Sequence, residues 1–494
     1  MKKLCGFISE LPAIDKAKDY DVYPESVNAV EGGYLFMVSG EDADYLVATG
    51  AAADKFDGET VTCDACTYVI APKTHKNANA LRALLPFTAP VPVLKKMRTF
   101  GVGDRLGIAT PGHLRVFKEY DAYPILAQQS IRELNLTERT YEDVLDSATY
   151  YVFRDGYKDG FGADGDHLKK PEEIEYALGL GFTMITLDCS EHIRGGVEKM
   201  SSAELAAECV LPEELAARYI GKDVVIEGET LSFDEDELRR CLLIYGEAIT
   251  FATGIYNKYF KEGGAKADFE ISIDETATPT SPLQHYFVAN ELIRNGVDVA
   301  TMAPRFCGEF QKGVDYIGDL AQFERELKTH AAIARHFGYK LSIHSGSDKF
   351  STFALIGKYT NGNFHVKTAG TNWLEAMRAV AAADPALYRE IHAFALSMFE
   401  EAKKFYHVTT DLNKVPALDT LTDAELPGLF TMNDARQLIH ITYGFILTEK
   451  NADGTYRFKN RLYKFWRDNE IVYSDMLYAH IGKHLDLLYE GFRA

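Results

Sequence analysis

Asp164, Asp166 and His167 fall within four residues of one another in the string GADGDHLKK, at the exit of a Gly-rich stretch. Glycines at 160, 162 and 165 let the backbone approach a ligand closely, and a carboxylate beside an imidazole offers a base next to a metal ligand. The competing expectation is an Asx-type turn capping the helix that starts near Pro171, with Asp166 serving the backbone. A second imidazole, His344, ends KLSIH and precedes small residues, then Asp348 and Lys349. At a strand exit it is a candidate to share an ion with His167; elsewhere it would be a hydrogen-bonded core residue. Asp274 and Glu275 close the apolar string FEISIDE, and strand alternation sends one into a barrel mouth and the other away. Glu275 is thus a candidate acid or base partner for Asp166, or else a helix N-terminal carboxylate ahead of PLQHYFVANELIRNG. In APRFCGEFQKG, Arg305, Glu309, Gln311 and Lys312 crowd one loop, and either Glu309 or Gln311 could give a third oxygen ligand to a hard or borderline metal. Lys367, in FHVKT before a Gly-bearing turn into a helix, either grips a substrate carboxylate or hydroxyl or sits in an interior ion pair. Asp188, Gln128 and Gln129 complete a polar ring suited to sugar hydroxyls.

These residues share one position in the pattern: each follows a short apolar segment. Eight such segments run in order, at 105–110 (RLGIAT), 123–128 (YPILAQ), 160–167 (GFGADGDH), 182–188 (FTMITLD), 269–275 (FEISIDE), 299–305 (VATMAPR), 340–344 (KLSIH) and 364–368 (FHVKT), with helical periodicity between nearly all of them. Strand and helix in eightfold alternation predict an α/β fold, a (β/α)8 TIM barrel with its chemistry at the C-terminal strand ends. At 494 residues the chain exceeds the roughly 250 typical of a barrel, so much of it lies outside. Residues 1–95, with short β-like runs split by Gly, Asp and Pro, predict a small β-rich N-terminal subdomain. The barrel then occupies 96–385, with a helical insertion at about 190–268 that either covers part of the mouth or packs outside. Residues 386–494 predict a helical, aromatic-rich extension docking on the barrel or on a second subunit of a homo-oligomer.

A net charge of −20 opposes bulk binding to nucleic acid or acidic membranes, while leaving room for a local basic pocket. No stretch approaches the ~18 apolar residues of a membrane span, and the first residues meet charge too early for a secretory apolar region, so a cytoplasmic protein is expected. Seven cysteines, an odd number, do not suggest a disulfide framework, and the lone CxxC at Cys63 and Cys66 lacks a second pair or a nearby His for zinc. There is no GxxxxGK[ST], HExxH or GxSxG, and GVGDRLG lacks dinucleotide-site spacing.

Taken together, GADGDHLK, IDETATPTSP, APRFCGEFQKG, SIHSGSDKF and HVKTAGTNWLEA resemble the tagaturonate epimerase family, which includes enzymes used as tagatose 4-epimerases. The resemblance implies a divalent-metal-dependent epimerase that interconverts tagaturonate and fructuronate, with a ketohexuronate or ketohexose as its small-molecule partner. It further implies Asp166 and Glu275 as the acid/base pair, His167 and His344 as metal ligands, and Gln311 or Glu309 as a third. Gln128, Asp188, Arg305, Lys312 and Lys367 remain as substrate-binding candidates, and His with oxygen ligands admits Zn, Mn, Ni, Co or Fe. The alternatives are a metal-dependent aldolase or ketose isomerase on a related sugar, or a sugar-binding barrel without turnover.

Overall fold

The computed structural model, which describes residues 3–63 and 66–493, closes eight parallel strands into a barrel. Ahead of it stands an antiparallel sheet of β1 (Asn28–Val30), β2 (Gly33–Ser39), β3 (Asp44–Thr49), β4 (Glu59–Cys63) and β5 (Cys66–Ala71), ordered β1-β2-β3-β5-β4. Period-two alternation decides what each face buries. Leu35, Met37, Leu46 and Ala48 pack with Tyr150 and Phe153 of the helix Tyr141–Arg154, whereas Phe36, Val38 and Val47 pack with Leu4 and Phe7 of the first helix. The sheet is thereby fastened to the barrel wall.

The barrel strands are β6 (Arg98–Val102), β7 (Tyr123–Ser130), β8 (Gly162–Leu168), β9 (Met184–Asp188), β12 (Asp268–Ile273), β13 (Thr301–Pro304), β14 (Lys340–Ile343) and β15 (Phe364–Thr368). A hairpin of β10 (Asp223–Ile226) and β11 (Glu229–Ser232) interrupts the series. Closure comes from β15 on β6, in register from Phe364 against Arg98 to Thr368 against Val102. Seven of the expected strands agree within a few residues; the first does not. RLGIAT is a loop beyond β6, and the strand is RTFGV. Asp104 folds the loop back by accepting from the N–H groups of Leu106, Gly107 and Ala109 at 2.9, 2.9 and 2.7 Å, and Gly107 sits at φ +75°.

In the insertion, the helix Glu235–Tyr256 packs beside Pro282–Arg294 on the outer wall, so its bulk does not cover the mouth. Its leading turns reach the rim, where Glu198 accepts from Thr278 Oγ1 at 2.6 Å, and Ile244 and Tyr245 of the long helix share a small cavity with them. Beyond β15, helices from Gly370 to Arg493 build a second core around Trp373, Tyr388 and Trp466. The last helix, Glu470–Arg493, lies against Thr110–Phe117 and Phe350–Tyr359. Gly357 makes this contact possible, because a Cβ there would meet the Leu488 carbonyl oxygen at 1.9 Å. Among the described residues no helix is long and apolar enough to cross a membrane.

Candidate active site

Strand β8 carries the first irregularity that matters for chemistry. Its pairing with β9 slips between Gly165 and Leu168, and His167 adopts a left-handed backbone at φ +55°. In a regular strand Asp164 and Asp166 would face inward and His167 outward. The bulge turns His167 to the mouth as well, at a backbone cost of order 1–3 kcal/mol that the surrounding contacts must offset. Its ring centroid lies 4.8 Å from that of His344, at the exit of β14.

Parity along the other strands fills the space between them. Glu270, Ser272 and Asp274 alternate inward on and just after β12. Asp274 Oδ1 lies 3.1 Å from His344 Nδ1 and 3.9 Å from His167 Nε2, and accepts from Ser272 Oγ at 2.5 Å. Each imidazole has a carboxylate behind it: Glu270 Oε1 is 2.8 Å from His344 Nε2, and Asp166 Oδ1 is 2.8 Å from His167 Nδ1. One ligand atom from each of His167, Asp274 and His344 lies within 4.8 Å of the others, a spacing able to hold one cation.

Beneath this group, the Lys367 ammonium meets Asp166 at 2.6 Å, Asp164 at 2.7 Å, Glu270 at 3.1 Å and Thr186 Oγ1 at 2.7 Å. Burial opposes its charge, but the three carboxylates outweigh burial and raise its pKa. Burial likewise opposes ionisation of Asp166, and Lys367 and His167 overcome it, holding the carboxyl well below the usual range. Asp164, beside two other acids, is pushed up by burial to about 7. For His167, burial is outweighed chiefly by Asp166, which raises the pKa to about 10.

The other residues singled out in the sequence fall in different places. Gln128, Asp188, Lys312 and Glu275 line the cleft above Asp166, His167 and His344, a cavity of about 270 Å³. Lys367 also reaches its floor, but four acceptors surround its three N–H bonds, which is the interior ion pair rather than a free grip. Gln311 does not face His167: its Oε1 accepts from Thr409 N, Thr409 Oγ1 and Gln437 Nε2, each at 3.1 Å, so the C-terminal extension occupies it. Glu309 pairs its backbone with Ile317, and Arg305 donates to the Thr276 carbonyl; both line a neighbouring cavity. Among the described residues the carboxylate that stands near both imidazoles is Asp274 rather than Glu309. The residues missed were Glu270, Thr186, Arg105, Glu133 and Arg132. Glu270 had a signal, an acid inside the apolar run FEISI, two residues from Ser272 and four from Asp274, hence on their face.

A closed parallel barrel whose C-terminal mouth gathers acids, imidazoles and ammonium groups around a small cleft is the architecture of an enzyme acting on a small polar molecule. The chain matches the family model described as tagaturonate epimerase over residues 23–488, and it belongs to that family, within the isomerases. It is 43% identical over 477 residues to the tagaturonate/fructuronate epimerase of Thermotoga maritima, covering 95% of this chain and 97% of the relative. A glycerol-complexed crystal structure of fructuronate-tagaturonate epimerase UxaE from Cohnella laeviribosi superposes with a TM-score of 0.93 at 51% identity, covering 99% of each chain. The native crystal structure of the same Cohnella enzyme gives 0.93 at 50% identity, again over 99% of each.

Proposed function

We propose that the protein interconverts D-tagaturonate and D-fructuronate by inverting ketose C4, with one divalent cation bound by His167, His344 and Asp274. The observation that carries this is the convergence of those three side chains at the mouth of a barrel whose whole-length relatives bear that activity in their names. The donor set fits a cation: Glu270 and Asp166 engage the far ring nitrogens, so His344 Nδ1 and His167 Nε2 both turn toward Asp274. Two nitrogens and an oxygen suit Zn, Mn, Co, Ni or Fe. When bound, the cation supplies Lewis-acid polarisation of the ketone.

C4 lies β to the ketone and bears no acidified C–H, so enolisation alone does not invert it. A retro-aldol route does. The C4 hydroxyl loses its proton, the C3–C4 bond breaks, and the C4 aldehyde turns its opposite face and re-forms the bond, regaining a proton on oxygen. Asp166 supports the first transfer: its contacts to His167 and Lys367 both fall on Oδ1 and keep it anionic, leaving Oδ2 for substrate. Glu275, exposed at the cleft, returns the proton on the other face. The test is a product analysis after stripping metal and re-adding each cation. A second ketohexuronate supports epimerisation; three-carbon fragments or an aldose would overturn it in favour of an aldolase or isomerase. Deuterium at C4 stays on carbon in this route, and its exchange with solvent would exclude it.

A further inference from the structure

The charged groups around the cleft are unevenly partnered. Lys169 stands near Asp188 at 3.4 Å and Glu191 at 3.8 Å, and Lys367 is encircled by three carboxylates. Lys312 and Arg132 differ: among the described residues neither makes an ion pair. The Lys312 ammonium donates only to Ser345 Oγ, at 3.3 Å, and the Arg132 guanidinium lies over the Tyr406 ring at 5.3 Å. They come from opposite sides of the barrel, Arg132 from the first turn of the helix Ile131–Thr137 that follows β7 and Lys312 from the loop after β13, yet both line the cleft with His344 and Glu275. They are close enough that Arg132 and Arg105 both act electrostatically against the charge on Lys312.

The carboxylate acting most strongly on Lys312 is Glu133, and it is already committed. Arg105, fully buried, donates to it at 2.7 and 3.2 Å and stacks on Tyr443 at 4.1 Å. Tyr443 in turn shares a 3.1 Å hydrogen bond with Tyr406, so the C-terminal extension positions Arg105 and Arg132 with one aromatic pair. What remains on the cleft is two like charges against one exposed carboxylate, Glu275, which acts on both but among the described residues pairs with neither; a substrate anion relieves the excess positive charge and a neutral hydroxymethyl group does not.

We propose that Lys312 and Arg132 form a carboxylate clamp for C6 of the substrate, and that this clamp selects sugar acids over neutral ketoses. The assignment rests on the epimerase reaction proposed above. A charge-assisted contact at each residue corresponds to roughly a 10–100-fold effect. Lys312→Met and Arg132→Gln should each raise KM for tagaturonate by about that factor, while the constant for competitive inhibition by tagatose moves less than about threefold; Lys312→Arg should recover part of the loss. Parallel weakening toward both sugars, or no change toward the acid, would overturn the clamp. If the parent enzyme does not turn over tagaturonate, the reaction assignment fails separately. Calorimetric affinities for tagaturonate and tagatose then still read the clamp: a parental preference for the acid that Lys312→Met abolishes upholds it, and equal affinities refute it.

Discussion

Glu270→Gln tests how the imidazoles are held. The carboxylate is fully buried. Its Oε1 lies 2.8 Å from His344 Nε2 and 3.1 Å from both Lys367 Nζ and Thr186 Oγ1, and Oε2 accepts from Thr301 Oγ1 at 2.5 Å. An anionic acceptor at Nε2 keeps the proton there and leaves the Nδ1 lone pair facing Asp274 and His167. Glutamine preserves the volume but removes the charge and adds an amide that competes for the same partners. Losing such a carboxylate behind a ligating imidazole costs about 10–100-fold in metal affinity, or ~1.4–2.7 kcal/mol. The fold should survive, because Lys367 keeps Asp164 and Asp166 at 2.7 and 2.6 Å. Chelator-competition titration with Zn²⁺ or Mn²⁺, beside a melting curve, measures both. The expected result is weakened cation binding with activity recovered at high cation concentration. Affinity within twofold of the parent in a folded variant would refute the argument, and a kcat defect that no cation concentration repairs would move Glu270 into the reaction itself.

Asp166→Asn and Glu275→Gln should each lower kcat at least about a hundredfold, and full activity in either would remove that residue from the mechanism. Gly357→Ala should destabilise by ~1–3 kcal/mol in urea unfolding, since the new Cβ meets the Leu488 carbonyl at 1.9 Å; an unchanged midpoint would mean the helices slide apart freely. Against burial, Asp348 and Glu375 raise the His480 pKa from 6.5 to about 9. A folded value above the unfolded one stabilises fully below about pH 6.5 and is lost as pH rises through about 9, up to ~3 kcal/mol. His480→Gln should flatten that decline in unfolding free energy; the same slope in variant and parent would exclude His480 as its source.

The sequence by itself determined the eightfold alternation and the location of chemistry at strand ends, because periodicity and polar strand exits are local properties of the chain. It also narrowed Asp274 and Glu275 to one inward and one outward residue and put Glu275 forward as the acid or base, whereas in the structure both line the cleft and Asp274 is the one that meets the imidazoles. RLGIAT misled because its apolar composition suits a strand while Asp104 and Gly107 fold it as a loop, a distinction made by hydrogen bonds rather than hydropathy. Tertiary structure alone decided which polar groups meet. Only the bulge at His167 shows that neighbours on one strand can both face the mouth. Only the docked extension explains why Gln311 is occupied at Thr409 and Gln437. Lys367 and Lys312 look alike as basic residues beside strand ends. Three carboxylates surround one and none pairs with the other, a difference set by residues up to 203 positions away in sequence from Lys367 and by an arginine that reaches Glu133 first.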